Sequence, residues 1–116
     1  MKKNRQRDKF YIKSIEDEIH RIEKFVKSET FNTFTKNDEK QYAVYKACEN
    51  IGEAAKHLSK ELKSQYPDVP WKEIAGFRDI LSHEYFGVDT TEVWKIVSED
   101  LPELKPKIKN IFKNIK

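Results

Sequence analysis

Cysteine occurs once in the 116 residues, at Cys48. A lone thiol excludes an intramolecular disulfide framework and a cysteine-built zinc site, so the chain reads as one suited to a reducing compartment. Glycine occurs three times and proline four times. So little turn chemistry suits long helices joined by few loops, and no segment reads as a strand hairpin. No apolar run approaches the roughly 20 residues that cross a bilayer. The opening Met1-Lys2-Lys3-Asn4-Arg5-Gln6-Arg7 is basic, but a charged amphipathic segment follows where a secretory signal needs an apolar one. A cytoplasmic protein with no membrane association is therefore expected.

Hydrophobic and charged residues each make up 37% of the chain. That is polar for a globular domain, yet the apolar positions are strictly periodic, which argues for a folded core. The length fits a single domain over residues 1–116, with residues 1–7 as a basic, frayed end. The net charge of +3 is unevenly spread. Residues 1–9 carry five Lys/Arg and one Asp, residues 105–116 carry five Lys and no acid, and residues 10–104 have a net charge of −6. Basic ends attract RNA through counterion release, although charged termini also serve solubility alone.

Four amphipathic helices are legible. Ile12, Ile15, Ile19, Ile22 and Val26 recur at steps of three and four, which predicts a helix over roughly residues 8–28. Residues 29–36 break the pattern. Asn37 is a good N-cap for a second helix whose apolar face runs Val44, Ala47, Ile51, Ala55, Leu58, Leu62. Ala47, Gly52, Ala54 and Ala55 make this helix thin, so a neighbour can approach closely. Pro70 suits the first turn of a third helix buried through Ile74, Phe77 and Leu81 and stopped by Gly87. Asp89-Thr90-Thr91-Glu92 has capping-box spacing and opens a fourth. Its stripe is Trp94, Val97, Leu101, Leu104, Ile108, Ile111 and Ile115, with a kink or restart near residues 99–102 imposed by Pro102. The expected fold is all-α, an antiparallel four-helix bundle with a kinked C-terminal helix.

The third helix carries the chemistry: Gly76-Phe77-Arg78-Asp79-Ile80-Leu81-Ser82-His83-Glu84-Tyr85-Phe86. Arg78 and His83 are separated by about 140° around an ideal helix, so they flank one groove without sharing a face. Asp79 and His83 are four apart and do share one, so the carboxylate can orient the imidazole and favour its charged form. An Arg beside a His is suited to phosphodiester cleavage. The guanidinium grips phosphate, and the imidazole moves a proton at the ribose 2′-OH or the leaving 5′-oxygen. Such chemistry needs no metal and no cofactor. One His does not easily act as both base and acid, which favours two copies of the motif facing each other in a symmetric dimer. Physics alone also allows these residues to be a surface ion-pair cluster.

Arg78-x-x-x-x-His83-x-Tyr85 resembles the R-x-x-x-x-H-x-Y motif of HepT-like HEPN proteins. Ile51-Gly52-Glu53-Ala54-Ala55-Lys56, Pro70-Trp71, Ile74-Ala75-Gly76-Phe77-Arg78-Asp79, Tyr85-Phe86-Gly87-Val88-Asp89 and Leu101-Pro102 resemble the family's flanking segments, in order, from about residue 8 onward. The resemblance implies a homodimeric HEPN helical bundle with the motif helices facing across the interface. It implies a ribonuclease with Arg78 and His83 as catalytic residues, acting as the toxin of a type VII-like toxin–antitoxin pair. It further implies a minimal nucleotidyltransferase antitoxin as partner, which in some members adds AMP to the motif tyrosine, here Tyr85. Glu53, Asp79 and Ser82 are supporting candidates: Glu53 along the dimer groove or simply solvated, Asp79 on His83, Ser82 toward phosphate or as a plain helix serine.

The second reading is a non-catalytic helical subunit that only partners a nucleotidyltransferase, and the third is a purely structural dimer. His20 and His57 are read as lacking ligand partners at helical spacing, so metal binding is not expected. Trp71 and Trp94 are read as core or interface anchors, and Tyr42 and Tyr45 as packing beside an unreactive Cys48.

Overall fold

The computed structural model describes residues 2–78 and 90–115. Among them all regular structure is helical: α1 Lys2–Val26, α2 Phe31–Phe34, α3 Asp38–Lys56, α4 Lys60–Gln65, α5 Trp71–Ala75, α6 Thr90–Lys95, a π-helical turn Ile96–Asp100, and α7 Leu101–Asn114. No described helix is long and apolar enough to cross a membrane.

The isoleucine stripe of α1 forms the spine of the core. Ile12, Ile15, Ile19 and Ile22 are at most 2% exposed. They meet Val44, Ala47, Ile51 and Ala55 of α3 and Leu101, Leu104, Ile108 and Ile111 of α7 in one continuous cluster. Contacts between α1 and α3 fall in opposite chain order: Asp8 with Ser59 just beyond α3, Tyr11 with His57, Glu18 with Asn50. α1 reaches back to Lys2 rather than starting near residue 8. Lys, Arg and Gln are good helix formers, and no Gly or Pro interrupts them.

The break at residues 29–36 contains a helical turn of its own. Thr30 caps α2 in a reciprocal capping box with Thr33, which turns Phe34 fully into the core. Asn37 then caps α3, its side chain accepting from the backbone N–H of Lys40. The second helix read from the sequence is in fact two. α3 stops at Lys56, and Leu62 belongs to α4, whose N-cap Ser59 accepts from the Leu62 N–H. The apolar period runs across this break, so periodicity alone hides it.

Pro70 occupies the N-cap of α5, one position earlier than the first turn. Trp71 is half-buried and donates its indole N–H to the Tyr66 carbonyl at 3.0 Å, which fixes where α5 begins. The expected kink before α7 takes the form of the π turn. Pro102 has no N–H for the carbonyl four residues back, and the Leu101 N–H reaches instead to Ile96, five back. Val93, Ile96 and Val97 take the buried positions of this stretch. Trp94, expected on the buried stripe, lies half-buried at its edge against Phe34, ring centroids 5.2 Å apart.

Candidate functional site

The site is built where α5 crosses α3. Gly52 is the contact point: a Cβ there would fall 2.6 Å from the Arg78 backbone nitrogen and 3.0 Å from the Ala75 carbonyl oxygen. Only a residue without a side chain lets the two backbones come this close. Ile74 and Phe77, buried to 1% and 7% exposure, hold the inner side of the same segment. Arg78 is thereby placed against α3, with its side chain running outward to a half-exposed position.

Glu53 follows Gly52 and meets that side chain. Its Oε2 lies 3.4 Å from Arg78 Nη1, and its Oε1 lies 3.4 Å from His57 Nε2, one turn further along. One carboxylate therefore faces a guanidinium and an imidazole together. His57 is the C-cap of α3. Its ring stacks on Tyr11 of α1, centroids 4.9 Å apart and planes 15° from parallel. A shallow groove between α1 and α3 adjoins Glu53 and is walled by Tyr11, Arg21 and Asn50. Glu18 sits in this groove at 9% exposure, accepting from Arg21 and, at 3.1 Å, from Asn50.

Of the sequence-derived candidates, Arg78 and Glu53 are brought together. Asp79, Ser82, His83 and Tyr85 lie outside the described residues, as do Leu81, Gly87 and the Asp89 cap. His57, read as having no partner for holding a metal, does face Glu53, which stands four residues before it. His20 likewise faces Glu23, at 3.6 Å. Both pairings sit at ordinary helical spacings that the sequence displays. Neither gathers a third ligand: among the described residues no group of three His, Cys, Asp or Glu is arranged to hold a metal.

Of the two tyrosines expected to pack, Tyr42 is 62% exposed and does not pack inward, whereas Tyr45 packs against the core and its hydroxyl lies 3.4 Å from that of Thr90. Cys48 is buried, and desolvation, followed by the Glu18 charge, pushes its thiol up to about 12, so it is no nucleophile. On the far side of α5 a second hollow, floored by Ile74, Phe77 and Leu104, is rimmed by Asp68, Glu73, Asp100 and Glu103. Partial desolvation raises the Asp100 carboxyl, Lys95 opposes the rise, and the neighbouring acids add to it.

The description Ribonuclease HepT-like belongs to the family model that matches residues 15–111. A protein of Thermococcus cleftensis named probable ribonuclease HepT is 42% identical over 105 residues, which cover 90% of this chain and 96% of that protein. A candidate RNase of Methanocaldococcus jannaschii is 39% identical over 100 residues, covering 86% of this chain and 92% of its own. A candidate RNase of Caldanaerobacter subterraneus subsp. tengcongensis is 40% identical over 106 residues, covering 91% and 95%. No solved structure matches the chain.

Proposed function

The chain belongs to the HepT-like ribonuclease family, and from that premise we propose that it cleaves single-stranded RNA without a metal, with Arg78 and His83 as catalytic residues. The ribose 2′-oxygen attacks the adjacent phosphorus and the bond to the 5′-oxygen breaks. The 2′-OH proton is taken up by a base, and the leaving oxygen receives a proton from an acid. The products are a 2′,3′-cyclic phosphate and a 5′-hydroxyl. Arg78 grips the phosphate and the charge that gathers on it, and His83 moves the proton.

The observation that carries this reading is the Glu53–Arg78 pair. A guanidinium offers five N–H donors in a fixed fork. The Glu53 carboxylate engages Nη1 at 3.4 Å and so orients the rest of the fork. Asp79 orients His83, and Ser82 reaches toward phosphate. Because acid and base are both required, the active form is a homodimer of antiparallel four-helix HEPN bundles, with the two motifs facing each other. The protein acts in the cytoplasm as the toxin of a type VII-like pair. A minimal nucleotidyltransferase antitoxin silences it by adding AMP to Tyr85.

The test is incubation of wild type and His83→Ala with total RNA in EDTA, followed by analysis of product ends. Cleavage by wild type alone, leaving cyclic phosphates, is the expected outcome. A folded, partner-free dimer with unmodified Tyr85 that leaves RNA intact would turn the reading to a non-catalytic partner subunit.

A further inference from the structure

We propose that the end of the molecule where α1 begins and α7 finishes, together with the row of rings leading from it toward Arg78, is the docking track for single-stranded RNA flanking the cleaved phosphate. This rests on the nuclease reading above and adds where the rest of the strand lies.

The first observation is a meeting of charge that the sequence keeps apart. The two basic stretches stand at opposite ends of the chain, but α7 lies along α1 in opposite chain order. Lys105 pairs with Glu23, while Lys9 and Lys13 stand 5.6 and 5.5 Å from the ring centre of Phe112. Asn4 and Arg5 share a hollow with Asn114 and Ile115. Arg5 and Lys9 are exposed beside the end of α7, on which Lys109 and Lys113 are exposed too, and Arg7 is exposed on the same first turns of α1. Glu61 flanks them in that hollow.

The second observation removes an opposing charge. Asp8 is the only acid in residues 1–9. It is 5% exposed and turned inward, accepting from the Ser59 N–H at 2.8 Å and the Ser59 hydroxyl at 2.6 Å. The charged side chains left exposed on the described part of this stretch, Arg5, Arg7 and Lys9, are cationic, although Asp8 lines the hollow beside Arg5. Residues 10–104 carry a net charge of −6, so a polyanion is steered to this end and away from most of the remaining surface. Lys13 adds no free charge, since Glu16 and Asp17 lie 3.3 and 3.2 Å from it.

The third observation is the connection to the site. Phe10 is 64% exposed and meets Tyr11 edge-on, centroids 5.1 Å apart. Tyr11 stacks on His57, and His57 shares Glu53 with Arg78. Rings between a cationic surface and a phosphate-gripping arginine match how sequence-tolerant single-strand binders work, with stacking on π-faces and cations along the backbone. From Lys2 to Tyr11 the helix rises about 14 Å, room for about four stacked nucleotides at ~3.4 Å each.

The experiment compares steady-state cleavage of a tetranucleotide and of a longer single strand at several salt concentrations. One protein carries Arg5→Glu, Arg7→Glu and Lys9→Glu. A control carries Lys24→Glu, Lys27→Glu and Lys36→Glu, the same change of net charge at exposed positions elsewhere. The first triple is expected to raise KM for the longer strand about tenfold, less for the tetranucleotide, and to flatten the log–log salt slope by about two. Phe10→Ala, at an exposed ring, is expected to raise the longer strand's KM about tenfold as well. It also decides the matter if the charge-reversed protein fails to fold. Equal effects of the two triples, or no effect of the first triple and of Phe10→Ala, overturn the track. Should wild type cleave nothing, the nuclease reading falls. The same variants are then compared in binding to a fluorescein-labelled single-stranded RNA, where unchanged affinity overturns the track and weakened affinity with a flatter slope upholds it.

Discussion

Gly52 of α3 lies so close to Arg78 that a methyl group at position 52 would stand 2.6 Å from the Arg78 amide nitrogen. The atom in the way is backbone, so no side-chain rotation relieves the clash. Gly52→Ala gains about 1 kcal/mol of helix propensity but overpacks a helix crossing, which costs roughly 1–3 kcal/mol. The expected net result is a lower denaturant midpoint and a fall in cleavage rate larger than the unfolded fraction explains. A variant as active and stable as wild type would show that the crossing yields freely.

Glu53 acts on Arg78 through charge at the surface, where one ion pair contributes well under about 1 kcal/mol. Glu53→Gln should therefore leave the melting temperature nearly unchanged while lowering kcat about tenfold through a less well held guanidinium. KM should stay level or fall, because a negative charge beside the phosphate site is removed. Arg78→Ala should lower kcat on the order of a hundredfold or more with the fold intact. A Glu53→Gln enzyme with wild-type kcat would leave Glu53 without a positioning role.

Asp8 ties α1 to the start of α4 by accepting from the Ser59 N–H and hydroxyl, and the same hydroxyl caps α4 by accepting from the Leu62 N–H. Hydrogen bonds to a buried charged acceptor contribute about 1.5–3 kcal/mol. Asp8→Ala should cost about that much in urea unfolding. Ser59→Ala should cost about 1 kcal/mol for the cap, plus more for leaving a buried carboxylate short of a donor. Coupling between the two in a double-mutant cycle is expected, and additive losses would argue against the clip.

Cys48 offers a pH test. Burial holds its thiol neutral up to about 12, against an ordinary value near 9.0. Above pH ~9 the unfolded chain loses this proton and the folded chain keeps it, so Cys48 makes stability fall as pH rises from about 9 toward 12. A Cys48→Ala protein should lack this component of the alkaline decline. Thiol reagents at neutral pH should leave native protein unmodified and react only on unfolding.

Much of the fold was legible because helical faces are set by local spacing. The α1 isoleucines, the Asn37 cap, the thin face around Gly52 and the disturbance before Pro102 all follow from residues within a turn or two of each other. The same locality misled at residues 57–59, where an unbroken apolar period concealed the Ser59 cap. It also misled at Trp94, which a stripe drawn by periodicity placed on the buried face. At the site, the Glu53–His57 pair stands at the four-residue spacing that puts two side chains on one helix face, so it is legible locally.

By itself the sequence determined which residues share a face, because a rise of about 1.5 Å and a turn of about 100° per residue fix that within each helix. It also displayed Arg78 and His83 in a pattern suited to phosphodiester chemistry. The tertiary structure decided which faces meet: Glu53 against Arg78, His57 on Tyr11, Asp8 turned inward to Ser59, and the two basic ends side by side. Those pairings join residues from 25 to more than 100 positions apart. They arise when whole apolar stripes are buried against one another, and no local spacing encodes that outcome.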